Sequence, residues 1–131
     1  MVSIDSVKTV LVVEDDPLLL KAIKLTLLGE GFEVITASNG IDALDKLKTE
    51  PIHLLLLDLL LPLMGGDEIL DELRDRPEFQ ELPIIIFSNY PPEEKLADTT
   101  GLNAKHYVIK SSVDLNDLVE IIRKTIEEQD E

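Results

Sequence analysis

Four consecutive leucines, Leu54–Leu57, run into an aspartate, Asp58, and three more leucines and Pro62 close the segment. An apolar run of that length, bounded by a charge and a proline, reads as a strand buried on both faces. Strands of this kind sit in the centre of parallel sheets packed between helices. Further short apolar runs alternate with amphipathic stretches along the chain, with no linker, low-complexity segment or fixed-period repeat between them. The strand candidates are Thr9–Val13, Glu33–Thr36, His53–Leu57, Ile84–Phe87 and Tyr107–Ile109. The third and fourth are continuously apolar and are expected at the centre.

Helical signals fill the intervals. Asp16-Pro17 has a capping carboxylate followed by a residue that needs no donor, and Gly29 or Gly31 ends that helix. Asn39-Gly40 introduces a second helix through Leu44 and Leu47, a third is expected from about Gly66 to Arg74, and Pro92–Thr99 has room only for a short fourth. In the last, Leu115, Leu118, Val119, Ile122 and Ile126 recur at helical spacing behind Asp114, a plausible N-cap. Repeated βα units with right-handed crossovers predict an α/β fold: a doubly wound five-stranded parallel sheet with helices on both faces and its ligand site at the C-terminal strand ends.

At 131 residues with 44% hydrophobic content, the chain suits one domain, 1–131, with a frayed acidic tail at Gln129, Asp130 and Glu131 and no room for an output domain. Twelve basic residues against 27 acidic ones give a formal charge of -15, which repels a phosphate backbone and argues against direct nucleic-acid binding. Cysteine is absent, so disulfides and thiolate metal sites are excluded. The N-terminal residues lack the apolar core of a signal peptide, and no apolar run is long enough for membrane insertion. A soluble, cytoplasmic protein is expected.

Parallel strands would bring Glu14, Asp15, Asp58, Ser88 and Lys110 to one edge of the sheet. Each has an ordinary explanation by itself. Asp16 is accounted for by capping, Glu14 and Asp15 could form a solvated acidic loop, Asp58 could cap a turn, Ser88 could end a strand, and Lys110 could be a solvated charge. The combination is harder to dismiss: two carboxylates about 4 Å apart repel by roughly 4 kcal/mol at an effective dielectric of 20, which calls for a cation or raised pKa values. With oxygen ligands only, Mg2+ is the natural ion. Ser88 and Lys110 would add a hydroxyl and an ammonium around the same point, which suits a tetrahedral anion on Asp58. His53 and His106 match no metal or catalytic pattern and are read as surface strand residues.

VLVVEDDP, LLLLDLLLPLMGG, PIIIFSN and YVIKSS, in this order, resemble the landmarks of response-regulator receiver domains of bacterial two-component systems, and they cover nearly the whole chain. The resemblance implies a flavodoxin-like sheet of order 2-1-3-4-5 and a phosphoacceptor rather than an enzyme. It implies that Asp58 accepts a phosphoryl group from a phosphohistidine of a sensor histidine kinase or phosphotransfer protein. It further implies that Mg2+ is held by Asp15, by Glu14 through water, by Asp58 and by the backbone carbonyl of Leu60. Ser88 would bond to the phosphoryl group, Lys110 would pair with it, and Tyr107 would be the aromatic switch, although a tyrosine there also simply covers a sheet. The switched surface would bind a downstream target protein, or form a dimer through the fourth helix, fifth strand and fifth helix.

The chain also departs from the pattern. Ser111 follows Lys110 where a proline in a cis peptide is common, and Asn89 follows Ser88 where alanine or glycine is common. Leu60 and Tyr90 stand two residues beyond the acceptor and the hydroxyl; neither orients water well, so slow loss of the phosphoryl group is expected. Three other readings compete. One is a receiver-like binding module that has lost phosphorylation, which Asn89 and Ser111 keep open. An aspartate-nucleophile phosphatase would need a second acid where Leu60 stands. A flavodoxin-like cofactor carrier would need Ser, Thr or Gly where acids 14 to 16 would repel its phosphate.

Overall fold

The apolar runs assemble into one five-stranded sheet, with Thr9–Val13, Leu54–Leu57 and Ile84–Ser88 buried throughout. The computed structural model describes residues 7–94 and 97–130. Its strands are β1 (Thr9–Val13), β2 (Glu33–Ala37), β3 (Leu54–Leu57), β4 (Ile84–Ser88) and β5 (Ala104–Ile109), all paired in parallel in the order β2-β1-β3-β4-β5. The α-helices are α1 (Pro17–Gly29), α2 (Gly40–Thr49), α3 (Gly66–Arg74) and α4 (Leu115–Gln129). This is the doubly wound α/β architecture that the alternating pattern predicts.

The four leucines of β3 are all buried because the sheet is covered twice. Leu54 and Leu56 pack with Ile23 and Leu27 of α1 and with Leu118 and Ile122 of α4. Leu55 and Leu57 pack with Leu44 and Leu47 of α2 and with Ile69, Leu70 and Leu73 of α3 on the other side. Alternation across the pleat thus sends a continuous apolar run into two cores.

The helix starts follow their caps. Asp16 accepts from the N–H groups of Leu18 and Leu19 at 3.0 and 3.4 Å, and Asn39 accepts from Asp42 N–H at 2.8 Å. Asp114 and Asp117 form a reciprocal capping box at the start of α4. Gly31, one residue past the C-cap of α1, has φ +93°, the left-handed turn that the glycine signal predicts.

Several boundaries differ from expectation. β5 begins at Ala104 rather than Tyr107, with a register shift against β4 between Ile84 and Ile85 that alternation alone does not reveal. β3 begins at Leu54, and His53 lies just outside it. There, Thr9 N–H donates to His53 Nδ1 and His53 N–H donates to Thr9 O, each at 2.9 Å, so the imidazole completes the ladder. His106 is an exposed residue of β5, as read. The fourth helix expected over Pro92–Thr99 is, among the described residues, a 3₁₀ turn at Pro92–Glu94, with Lys95 and Leu96 outside them. Arg74 of α3 holds the chain that follows, donating to the backbone carbonyls of Asp98 and Thr100.

Gln129 and Asp130, at the C-terminal end, make side-chain contacts with the rest of the domain. Gln129 Nε2 donates to Glu81 O at 3.0 Å and Asn103 Nδ2 donates to Gln129 Oε1 at 3.2 Å, while Asp130 pairs with Lys8 at 3.2 Å. Glu131 lies outside the described residues. All peptide bonds among the described residues are trans, that of Lys110-Ser111 included. Among the described residues no helix is long and apolar enough to cross a membrane.

Candidate phosphoacceptor site

The C-terminal ends of β1, β3, β4 and β5 deliver the chemistry to one edge. Glu14 follows β1 and its N–H still bonds to Ala37 O at 3.0 Å; Asp58 follows β3 and its N–H bonds to Val13 O at 3.1 Å. The ladder therefore carries both acids into the protein: Glu14 is 1% exposed and Asp58 5%, whereas Asp15 faces solvent. Carboxylate oxygens of Glu14, Asp15 and Asp58 lie within 4.8 Å of one another.

Tight backbone approach fixes the loop that follows β3. A Cβ on Gly66 would stand 2.5 Å from Asp58 O, and one on Gly40 would stand 1.9 Å from Met64 O. The second glycine of LLLLDLLLPLMGG is therefore what lets α3 start against the Asp58 peptide.

Lys110, just past β5, is the cation of the cluster. Its Nζ lies 2.7 Å from Asp58 Oδ2, to which it donates, and 2.6 Å from Glu14 Oε1. The second contact is an ion pair and not a hydrogen bond, so buried Glu14 Oε1 has no hydrogen-bond donor. The remaining oxygens are engaged: Asp16 N–H donates to Glu14 Oε2 at 3.1 Å, and Leu60 N–H to Asp58 Oδ1 at 3.3 Å. Burial pushes the Glu14 carboxyl above its usual range, against the lowering pull of Lys110 and the Asp16 N–H. For Lys110 burial pulls down, but its hydrogen bond to Asp58, its contact with Glu14 and the charges of both acids outweigh it, so its pKa is raised.

Ser88 and Tyr107 meet at the backbone of Tyr90. Ser88, fully buried at the end of β4, accepts from Tyr90 N–H at 3.2 Å, and the Tyr107 hydroxyl donates to Tyr90 O. Burial raises the Tyr107 pKa, with the charge on Asp58 adding to it. Tyr90 as the link between the two was not foreseen from sequence. Nor was a hydrogen bond from Ser111 N–H to Asn89 Oδ1, at 3.0 Å, across the loops that follow β4 and β5.

The cluster holds three carboxylates and one ammonium, a formal sum of -2. A divalent cation would neutralise that sum, and the donors are oxygens only, with one buried carboxylate oxygen lacking a donor. The residues present therefore fit Mg2+.

A doubly wound parallel sheet with a buried aspartate, two neighbouring acids and a strand-end lysine defines a phosphoacceptor class rather than an enzyme that turns over separate substrates. The chain belongs to the response regulator receiver domain family, whose sequence profile matches residues 10–123. It is 33% identical over 101 residues to the response regulator RR06 of Streptococcus pneumoniae, covering 77% of this chain and 45% of that protein. The receiver domain protein (CheY-like) of Methanospirillum hungatei superposes with a TM-score of 0.84 at 31% identity, over 95% of this chain and 98% of that one. The response regulator TrrA of Thermotoga maritima, solved in complex with Mg2+-BeF, gives a TM-score of 0.75 at 32% identity over 90% and 98% of the two chains. This chain is thus a two-component receiver domain, and it spans about half the length or less of the curated relatives it matches.

Proposed function

We propose that Asp58 accepts a phosphoryl group from a phosphohistidine on a sensor histidine kinase or phosphotransfer protein. The observation that carries this reading is the contact of Lys110 Nζ with Asp58 Oδ2 at 2.7 Å inside the acidic cluster. A carboxylate oxygen of Asp58 attacks phosphorus in line as the P–N bond breaks, and the electron pair returns to the imidazole nitrogen. Lys110 stands where negative charge gathers on the transferring group, and such positioning and electrostatics make up most of the catalysis. Asp15, Glu14, Asp58 and the backbone carbonyl of Leu60 would hold Mg2+, which would supply charge neutralisation of the phosphoryl oxygens.

The acyl phosphate then presents new acceptors to Ser88 and Lys110. Each charged hydrogen bond contributes about 1.5–3 kcal/mol, and inverting a 1:99 switch takes roughly 5.5 kcal/mol, so two or three contacts suffice. Ser88 turning to the phosphoryl group would release Tyr90 N–H, and Tyr107, bonded to the other end of the same residue, would follow. The surface over β5 and α4 would then change for a target protein or a second copy. Leu60 and Tyr90 are poor groups for orienting an attacking water, so the phosphoryl group is lost slowly.

Acetyl phosphate with Mg2+ tests the reading. Intact mass is expected to rise by one phosphoryl group in wild type and not in Asp58→Asn. Unlabelled wild type, under conditions that label another receiver, would leave a phosphorylation-deficient binding module; decay within seconds of donor removal would overturn the retention.

A further inference from the structure

The two departures from the receiver pattern face one another. Asn89 stands where a small residue is common, Ser111 stands where proline is common, and the Ser111 N–H donates to Asn89 Oδ1 at 3.0 Å. Each depends on the other: proline has no N–H to donate, and alanine or glycine has no side-chain acceptor. The partners come from different strands, since Asn89 directly follows Ser88 of β4 and Ser111 lies two residues past Ile109 of β5, with Ser88 and Ile109 in register. Both are exposed, so water could satisfy either group alone. What the bond adds is a fixed geometry.

That geometry matters because Lys110 lies between the tied points. It opens a 3₁₀ turn, Lys110–Ser112, that has no side-chain cap at its start, and from this turn its ammonium reaches Asp58 and Glu14. We propose that Asn89 is a positioning residue for phosphoryl transfer: it clamps the Ser111 N–H and so holds the turn that aims Lys110 at Asp58. Because Asn89 is bonded covalently to Ser88, the clamp also joins the hydroxyl residue and the lysine mechanically, so that a shift of one is felt by the other. The inference rests on the reading of Asp58 as the acceptor.

The test compares rates of labelling of the whole chain by acetyl phosphate and Mg2+ with the NMR resonance of the Lys110 ammonium. Asn89→Ala and Ser111→Pro are each expected to label roughly two- to tenfold more slowly, the range of one hydrogen bond, and to shift or broaden the Lys110 signal. Ser111→Ala, which keeps the N–H, should match wild type. The double variant Asn89→Ala/Ser111→Pro should be no slower than the slower single one, because the second change removes a bond already lost. Asn89→Gly provides a second truncation should Asn89→Ala fold poorly. Wild-type rates and an unmoved Lys110 signal in both single variants would overturn the proposal, and so would losses that multiply in the double variant. Unlabelled wild type would overturn the reading of Asp58 instead, while the Lys110 resonance would still report on the clamp.

Discussion

Lys110 and Asp58, 52 residues apart in the chain, meet at 2.7 Å with both side chains largely shielded from water. The same ammonium touches Glu14, so one cation serves two buried acids. Removing it strands them. Lys110→Met is expected to destabilise the metal-free protein by about 3 kcal/mol near pH 8, as loss of one partner from a buried pair does. Part of that loss should be recovered at a second, more acidic pH, because burial raises the Glu14 carboxyl and so favours its neutral form. Urea unfolding at the two pH values checks this; equal losses at both would refute it.

Glu14 is strained in the opposite sense. Burial is the largest influence on its carboxyl and favours the neutral form, and Oε1 has no hydrogen-bond donor. Glu14→Gln should therefore melt at a higher temperature than wild type when Mg2+ is withheld. Added Mg2+ should raise the melting temperature of wild type more than that of the variant, because binding to the folded state alone stabilises it. Identical Mg2+ increments would remove Glu14 from the ligand set.

His53 predicts a pH dependence of a different origin. Burial, then the Lys8 charge, lowers its pKa below 6.5, against the opposing pull of Asp130 and Glu33. Neutral Nδ1 accepts from the buried Thr9 N–H, which imidazolium could not do. A histidine depressed in the folded state contributes stability above its unfolded pKa and loses that contribution as pH falls through the folded value. His53→Ala should cost about 1–2 kcal/mol near pH 8, and the gap to wild type should close as the solution is acidified below 6.5. A gap that stays constant in denaturant titrations would count against this account.

Leu63 occupies an unfavourable backbone conformation. Met64 N–H closes a three-residue turn onto Pro62 O at 2.8 Å, Leu63 has φ +69°, and its side chain is 77% exposed. A left-handed L residue costs about 1–2 kcal/mol, of which glycine returns part to unfolded-chain entropy. Leu63→Gly should gain roughly 0.5–1 kcal/mol in stability, read as a higher denaturant midpoint, with little burial to lose. A lower midpoint would mean that the loop needs the leucine.

Much of the molecule was legible in one dimension. The four leucines of β3 announced a doubly covered strand, Asp16-Pro17, Asn39-Gly40 and Asp114 marked helix starts, and the placement of acids and lysine beyond apolar runs pointed to one sheet edge. These are local effects: burial follows the period of the side chains, and capping follows the nearest free N–H groups. Less legible were the start of β5, where a register shift breaks the pattern, and the 3₁₀ turn at Pro92–Glu94, expected only as a short helix.

Residue types along the chain determined by themselves that Glu14, Asp15, Asp58, Ser88 and Lys110 would sit at strand ends. Tertiary structure alone decided that Lys110 bridges two acids, that Ser88 and Tyr107 both hold Tyr90, that His53 completes a ladder, and that Asn89 captures the Ser111 N–H. Each of those bonds depends on distances and angles between segments distant in the chain. Hydrogen bonds and ion pairs are short-ranged and directional, and no periodicity encodes them.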